Sequence, residues 1–219
     1  MPDEQEPQLS DLQKYPKPSV AVDVAVLTLD DTGRQLQVLQ VYRGTPTTWG
    51  LPGRILREHE LLVDAVKVAL REKAGVEGLN PQQLKVFDAG GRDDRGWVLS
   101  VAHLDVVRQE QLAGRFADTT RLVAVDDPQD LPWDHPLIIK EAVEFLRPRY
   151  ERAADPNGLL GDTFTMRELQ WAHEAVAGRE LQRDNFRRAM DEHVEETAEP
   201  PVTRGRGRPA VLYRRRPQR

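Results

Sequence analysis

The most chemically specialised residues of this chain are the arginines at its carboxyl end. The last sixteen residues contain seven arginines and no acid, whereas the whole chain has a net charge of −5. Guanidinium groups match phosphate with paired N–H donors. A basic segment attached to an acidic body predicts that the end of the chain binds a polyanion and that the body has another task.

The order of residues around these arginines predicts a β-hairpin with an arginine-rich tip. Glycines alternate with Arg204, Arg206 and Arg208, and glycine permits a tight turn. The segment 211–213, Val-Leu-Tyr, then has the composition of a strand. A disordered, solubilising tail is the alternative reading of the same composition.

Two short helices are predicted before this hairpin. Thr165 and Glu168 form a capping box that begins one helix, and Gly178 ends it. A second helix follows at 181–190, with Phe186 on its apolar face. A helix, a turn, a helix and a hairpin are the elements of a winged helix-turn-helix.

The same pattern predicts the interior of this small unit. Its core is expected to contain Trp171, Phe186 and Tyr213, because large aromatic side chains are usually buried. The acidic segment 192–199 is expected to loop out before the hairpin.

The polar face of the second helix carries the side chains suited to DNA. Asn185 can accept from and donate to adenine at once. Arg183 and Arg187 can read guanine or clamp phosphate, and a solvated surface is the alternative for each. The predicted DNA contacts are Thr165, Arg183, Asn185, Arg187, Arg188, Arg204, Arg206 and Arg208.

A loop followed by a helix is the second pattern with chemical meaning. The loop Trp49–Gly53 precedes a helical period over 60–73, and Gly75 is a natural end for that helix. This pattern resembles the Nudix box. In that motif, carboxylates on one helix face hold Mg²⁺, which carries pyrophosphate oxygens and activates water.

The box departs from the family motif where the chemistry needs it. When the box is aligned on Gly75, Ala69 stands in place of one glutamate, and the paired glutamates read Glu72 and Lys73. A lysine opposes a divalent cation instead of holding it. We therefore expect no catalytic residues, no metal site, no required cofactor and no efficient hydrolysis.

Two acids lie at the start of the predicted helix. The first glutamate of the motif aligns with Glu60 only if one residue is inserted after Gly53. Glu60 and Asp64 are four residues apart and could form a weak substitute pair for a metal. An acidic first turn, which the helix dipole favours, is the alternative.

Further segments are similar to those of Nudix-related transcriptional regulators. They are 92–103, 134–135, 178–188 and 205–214, and the resemblance covers about residues 18 to 216. Members of that family are typically dimeric repressors, many of them controlling NAD biosynthesis or salvage. In many members the Nudix domain senses ADP-ribose or a related nucleotide, and in other branches it senses sugars.

The resemblance implies a ligand cleft in the first domain. Arginines on its flanking loops match a diphosphate, although a surface role is equally open for each. Trp49 and Trp97 can stack on adenine or belong to the core. His135 can be a general base, a helix cap or a structural hydrogen-bonding group. The predicted ligand contacts are Arg43, Trp49, Arg54, Arg92, Arg95, Trp97 and His135.

The elements that must position these residues are those of an α+β chain. Strands are predicted at 20–29, 36–42, 84–88, 96–106 and 121–125, and helices at 60–73 and 134–152. We expect a Nudix-like α/β/α sandwich over 18–152 and a winged helix-turn-helix over 158–219, joined by a linker around 154–158.

Composition narrows the setting in which the chain works. The chain has no cysteine, which excludes disulfides and thiolate metal sites. Its acidic, proline-containing start is unlike a signal peptide, and its longest apolar stretch, 20–29, is too short to span a bilayer. We expect a cytoplasmic protein that does not enter a membrane.

These observations lead to one main hypothesis and two alternatives. The main hypothesis is a transcriptional repressor whose Nudix-like domain binds ADP-ribose or a similar nucleotide. Its homodimer would present two recognition helices to a palindromic double-stranded operator. The alternatives are a Nudix hydrolase acting on ADP-ribose or nucleotide sugars, and a protein that coats nucleic acid without sequence preference.

Overall fold

The computed structural model describes residues 14–44, 48–201 and 209–217. Its strands are β1 (Ser19–Leu29), β2 (Leu36–Tyr42), β3 (Trp49–Gly50), β4 (Gly53–Ile55), β5 (Gln82–Phe87), β6 (Val98–Val106), β7 (Thr120–Ala124), β8 (Phe164–Thr165), β9 (Val194–Glu196) and β10 (Leu212–Arg215). Its α-helices are α1 (Leu62–Ala74), α2 (His135–Tyr150), α3 (Met166–Ala177) and α4 (Arg183–Met190).

The first seven strands form one mixed sheet. The order along its main path is β3-β2-β1-β6-β5, with β4 paired to β1 and β7 paired to β2. Strand β1 is central, because it pairs in parallel with β6 and antiparallel with β2 and β4. A strand that is surrounded in this way brings distant segments of the chain against the same few residues.

Helices cover both faces of this sheet because both faces of β1 are largely apolar. Val22, Val24 and Val26 pack in the cluster that contains buried residues of α1. Ala25 and Leu27 lie on the opposite face, in the cluster that contains the buried residues of α2. This arrangement is the predicted α/β/α sandwich, in which a strand buried on both sides has no polar face.

The second unit has the elements of a winged helix. Helices α3 and α4 pack beside a three-stranded antiparallel sheet of order β8-β10-β9. The predicted capping box begins α3: the Thr165 hydroxyl accepts from the Glu168 backbone N–H at 3.2 Å, and the Glu168 carboxylate accepts from the Thr165 backbone N–H at 2.8 Å. Gly178 ends the helix in the left-handed region, with a φ of 68°.

Two predictions made from the sequence of this unit are wrong. The segment 192–199 does not simply loop out, because residues 194–196 form β9 and pair with β10. Phe186 and Tyr213 belong to the core, but Trp171 is only half buried and lies outside that cluster. The guanidinium groups of Arg34 and Arg167 lie over its ring instead.

The two units share part of their hydrophobic core. Leu159, Ala172 and Val176 of the second unit pack in the cluster that contains Leu146 and Tyr150 of α2. Removing the second unit would therefore expose apolar surface on the first.

A buried polar junction reinforces this contact. The Asp155 carboxylate is fully buried and accepts from the Tyr150 hydroxyl and from the backbone N–H groups of Leu159 and Leu160, each at 2.8 Å. It also pairs with the Arg215 guanidinium at the end of β10. One side chain thus ties the end of α2, the linker and the wing sheet together.

His173 of α3 completes this junction. Its Nε2 accepts from the Asp155 backbone N–H at 3.2 Å, and its ring lies edge-to-face against Tyr150 and Phe186. Burial lowers the pKa of His173 to about 4, so the ring is neutral at ordinary pH.

The arginine-rich tip of the predicted hairpin lies in the segment between β9 and β10. Arg204, Arg206 and Arg208 lie outside the described residues. Across the residues that the structure describes, no helix has both the length and the apolar character needed to cross a membrane.

Candidate functional site

A buried carboxylate on β1 is the centre of the polar site in the first domain. Asp23 is 5% exposed and accepts a hydrogen bond from the Ser100 hydroxyl at 2.6 Å. Gly53 lies directly opposite on β4, where an added Cβ atom would come within 2.2 Å of an Asp23 oxygen. The glycine of the Nudix-like loop is therefore required sterically, because any side chain there would displace Asp23.

His135 begins α2 directly beside this carboxylate. Its Nδ1 accepts from the Leu51 backbone N–H at 3.1 Å, which assigns the ring proton to Nε2. That Nε2 lies 3.3 Å from an Asp23 oxygen but off the direction of a well-aligned hydrogen bond. The ring is fully buried beside Asp23, and its direct contact with a ligand stays a prediction.

The charges around Asp23 keep it ionised. Burial alone would raise the pKa of Asp23, but contacts with His135 and Ser100 and the charge of Arg43 outweigh it. The Asp23 pKa therefore lies below its ordinary value.

Trp133 brings two of the predicted arginines together. The Arg43 guanidinium carbon lies 4.9 Å from the centre of the Trp133 ring, and that of Arg95 lies 4.7 Å from it. Arg43 also donates to the Leu51 carbonyl at 2.6 Å and lies 3.8 Å from Asp23. Burial lowers the pKa of Arg43, and the nearby Asp23 charge opposes that shift.

Two acids hold the predicted arginines of the 92–95 loop. Arg92 donates twice to the Asp134 carboxylate, once at 2.7 Å, and its side chain is 4% exposed. Arg95 donates to both oxygens of Asp93 at 2.8 and 2.6 Å and remains largely exposed. Asp134 immediately precedes α2, so the Arg92 pair joins the loop to the start of that helix.

The other predicted ligand contacts lie outside this cluster. Arg54 pairs with Glu60 at 2.7 Å. Trp49 lies under the Arg121 guanidinium, 4.3 Å from its ring centre. Trp97 is 55% exposed, so it does not belong to the core.

A cavity of about 800 Å³ opens next to the cluster. Its walls are β5, the 88–94 loop and the start of α2, and they include Arg92, Trp133 and Asp134. Of the seven predicted ligand contacts, only Arg92 lines it directly. Cavities of this size commonly accept small-molecule ligands.

Sequence reasoning missed Asp23 and Trp133. Asp23 carried a signal, because it is the one acid inside the apolar run of β1. Trp133 carried no signal beyond its position before Asp134, and its backbone lies in the left-handed region with a φ of 56°.

The helix of the Nudix-like box does not present a metal-binding face. Ala69 is 1% exposed, whereas Glu72 and Lys73 point to solvent. Glu60 precedes α1, and its carboxylate already binds Arg54 and the Arg57 backbone N–H, so it does not pair with Asp64 for a metal. Among the described residues, no three His, Asp or Glu side chains converge as metal ligands. This donor set does not fit the Mg²⁺ site of the Nudix motif.

The second unit presents a polar helix to solvent. In α4, Phe186 and Met190 are buried, whereas Arg183, Arg187 and Arg188 are exposed. The last three lie on the surface that sequence analysis predicts for DNA.

Asn185 and Arg188 form one unit on this helix. The Arg188 guanidinium donates to the Asn185 side-chain oxygen at 2.8 Å, which leaves the amide group of Asn185 free to donate. Thr165 differs from the prediction of a DNA contact, because its buried hydroxyl is used in the cap of α3.

Comparison with known proteins places this arrangement in a family. Residues 156–215 match the family described as the NrtR DNA-binding winged helix domain. Over 213 residues the chain is 31% identical to the ADPR responsive transcriptional repressor NtrR of Acinetobacter baylyi, covering 91% of this chain and 83% of that protein. The chain belongs to the NrtR family. The predicted resemblance to Nudix-related regulators is confirmed.

Solved structures of the NrtR family have the same fold. Shewanella oneidensis NrtR complexed with a 27mer DNA is 31% identical, with a TM-score of 0.73 over 90% of this chain and 93% of that chain. The Nudix domain of the same protein complexed with ADP ribose is 28% identical, with a TM-score of 0.53 over 64% of this chain and 99% of that chain. The predicted fold, a Nudix-like domain followed by a winged helix, is confirmed.

Proposed function

We propose that this NrtR family member is a DNA-binding transcriptional repressor that ADP-ribose or a closely related nucleotide releases from DNA. The observation that carries the proposal is the presence, in one chain, of a Nudix-like cleft without a metal-binding face and an NrtR-type winged helix. We divide the chain into a sensor domain at 18–152 and a reader domain at 158–219. The resemblance to known regulators favours NAD biosynthesis or salvage genes as its targets and the cytoplasm as its location.

The effector site is the cluster around Asp23 together with the adjoining cavity. Arg43 Nε and His135 Nε2 are buried donors without a hydrogen-bond partner among the described residues. Buried donors without partners are costly, and a ligand oxygen or an ordered water would satisfy them. Arg92 and Arg95 border the site with the paired N–H donors that suit a diphosphate.

The nearby carboxylates tune effector binding. Asp134 and Asp93 already hold Arg92 and Arg95, so a diphosphate has to compete with them for these donors. That exchange links occupancy of the site to the 92–95 loop and to the start of α2. Because α2 also packs against the reader domain, occupancy can change the position of the reader.

The reader domain supplies the DNA contacts. We assign α4 to the major groove, with Asn185 and Arg188 at base edges and Arg183 and Arg187 beside phosphates. We place the wing arginines Arg204, Arg206 and Arg208 on the DNA backbone. A homodimer would set two copies of α4 against a palindromic operator about one helical turn apart.

The test of the proposal is the reciprocal effect of ADP-ribose and operator. Moving a bound dimer from almost fully bound to almost fully released requires a preference of about 5.5 kcal/mol for the released geometry. Operator must then weaken ADP-ribose binding by the same factor by which ADP-ribose weakens operator binding. Calorimetric titration with and without a duplex selected on the protein from a random library measures both factors. Equal ADP-ribose affinities in the two titrations would exclude derepression by this nucleotide.

A second prediction concerns base recognition by α4. Replacing Asn185 by alanine should cost about 1–3 kcal/mol on the selected duplex and relax sequence preference, because a base contact is lost. The double variant with Arg188→Ala should lose less than the sum of the single losses, because the two side chains are hydrogen-bonded to each other. Competition binding against random DNA measures both effects. An equal loss on selected and random DNA would show that α4 does not read bases.

A third prediction concerns catalysis. Incubation with ADP-ribose and Mg²⁺ should give no turnover above that of the Glu72→Gln variant, because the helix retains a single carboxylate of the Nudix metal set at an exposed position. Chromatographic separation of ADP-ribose from AMP measures the reaction. Robust hydrolysis by the natural protein that Glu72→Gln abolishes would establish the hydrolase alternative.

A further inference from the structure

A second basic site lies in the groove between the two helices of the reader domain. This groove encloses about 390 Å³ at the start of α3 and along α4. It is lined by Met166, Arg167, Gln170, Trp171, Arg183 and Arg187. Every charged residue of the groove is an arginine.

The three groove arginines form no ion pair in the part of the chain that the structure describes. Within residues 14–44, 48–201 and 209–217, no carboxylate forms an ion pair with Arg167, Arg183 or Arg187. Like charges that converge in one groove repel each other, and an anion relieves that repulsion. Three guanidinium groups around a small groove have the chemistry to hold phosphate oxygens.

The sensor domain places a fourth guanidinium against Trp171, one of the residues that line this groove. Arg34 lies in the turn between β1 and β2, and its guanidinium carbon is 4.1 Å from the centre of the Trp171 ring. Arg167 lies 4.7 Å from the same centre. Trp171 therefore holds one cation from each domain at the same place, through attraction between the ring and the cations.

The turn that carries Arg34 is well fixed. The Asp30 carboxylate accepts from the backbone N–H groups of Arg34 and Gln35 at 2.8 and 2.9 Å, and from the Thr32 hydroxyl at 2.6 Å. These bonds fix the backbone of the turn, and stacking on Trp171 places the Arg34 side chain. As with the groove arginines, no carboxylate among the described residues pairs with its guanidinium.

We propose that the β1–β2 turn of the sensor domain is part of the DNA interface. Arg34, held against Trp171, forms with Arg167, Arg183 and Arg187 one site for backbone phosphates of duplex DNA. This inference rests on the proposed function of the chain as a DNA-binding repressor. Duplex DNA is the occupant because the first helix of a helix-turn-helix crosses the DNA backbone, and Arg167 lies at the start of that helix.

The position of Arg34 gives this contact a consequence for regulation. Strand β1 carries Asp23, and β2 leads directly to Arg43, so one hairpin joins the effector cluster to the DNA surface. A shift of the hairpin on effector binding would move Arg34 relative to α3. Arg34 and the three arginines of the reader domain would then no longer bind the same stretch of DNA backbone.

Salt dependence of binding to a random-sequence duplex tests the inference. Each phosphate contact contributes about 0.9 to the slope of log affinity against log salt. In Arg34→Ala we expect the magnitude of the slope to decrease by about 0.9, because one phosphate contact is lost. The affinity for ADP-ribose in the absence of DNA should be unchanged. Arg34→Lys, which keeps the charge, should retain the slope.

The matched control is Arg71→Ala, which removes the same charge from an exposed position on α1. A slope for Arg71→Ala equal to that of the natural protein, together with the reduced slope of Arg34→Ala, supports a direct contact. Equal slopes for the two alanine variants would overturn the inference, because Arg34 would then act only through net charge. Failure of the natural protein to bind either DNA or ADP-ribose would instead contradict the proposed function itself.

Discussion

Replacing Asp155 by alanine is expected to lower the free energy of unfolding by about 3–5 kcal/mol, because removal of one partner strands a buried ion pair. Arg215 would lose its carboxylate partner, and the Tyr150 hydroxyl and two backbone N–H groups would lose their acceptor. Asp155 also has a left-handed φ of 43°, which alanine tolerates less well than aspartate.

Asp155→Asn separates these contributions. Asparagine accepts the left-handed conformation and retains one acceptor oxygen, so its loss should be smaller than that of alanine. Chemical denaturation followed by circular dichroism measures the loss. Asp162→Ala, an exposed acid in the same segment, is the control. Equal stabilities of Asp155→Ala and Asp162→Ala would show that the junction does not hold the domains together.

The Asp155→Ala variant should also change the pKa of Tyr150, which can be followed by spectroscopy. Burial raises the pKa of Tyr150 well above its ordinary value, and the charge and hydrogen bond of Asp155 raise it further. In Asp155→Ala the Tyr150 pKa should therefore fall relative to the natural protein. Ultraviolet titration of the tyrosinate band detects this fall at alkaline pH.

Replacing Asp23 by alanine should destabilise the sensor domain and weaken ADP-ribose binding, because Asp23 is the charged partner that holds Arg43 and Arg92 in the site. The change removes the carboxylate that lies beside Arg43 and Arg92. It also removes the acceptor of the hydrogen bond from the Ser100 hydroxyl. We expect a loss of about 3 kcal/mol in unfolding free energy, the lower end for removing one member of a buried charged group. Ser100→Ala, which removes one hydrogen bond, should cost about 1 kcal/mol.

The pH dependence of stability gives a further test of Asp23. Because its folded pKa is below the ordinary carboxylate value, its contribution is present above about pH 4 and is lost as pH falls through the folded pKa. Natural protein should therefore lose more stability than Asp23→Ala on acidification below about pH 4. Parallel acid denaturation curves, or unchanged ADP-ribose affinity in calorimetry, would contradict a central role for Asp23.

Several elements could be predicted because their signals are local. The apolar run of β1, the Thr165 capping box and the Gly75 and Gly178 helix ends depend on residues within one or two turns. The missing carboxylates of the Nudix-like helix are likewise visible in the chain itself, since Ala69 and Lys73 occupy known positions of a motif.

Other features escaped prediction because they depend on contacts between distant residues. Asp23 meets Ser100 through the parallel pairing of β1 with β6, and meets His135 because α2 begins against the same strand. The sequence could not show that Trp171 lies beneath Arg34, since those residues belong to different domains.

By itself, the sequence determined the order of the two domains, the long strands and the helices within them, and the absence of a complete set of Nudix carboxylates. These properties follow from composition, periodicity and short motifs. Only the tertiary structure decided which arginines have acidic partners, that Asp23 and Asp155 are the buried centres of the sensor and of the junction, and that the domains share a core. The physical reason is that burial and charge pairing depend on which distant segments the sheet and the α2–α3 contact bring together.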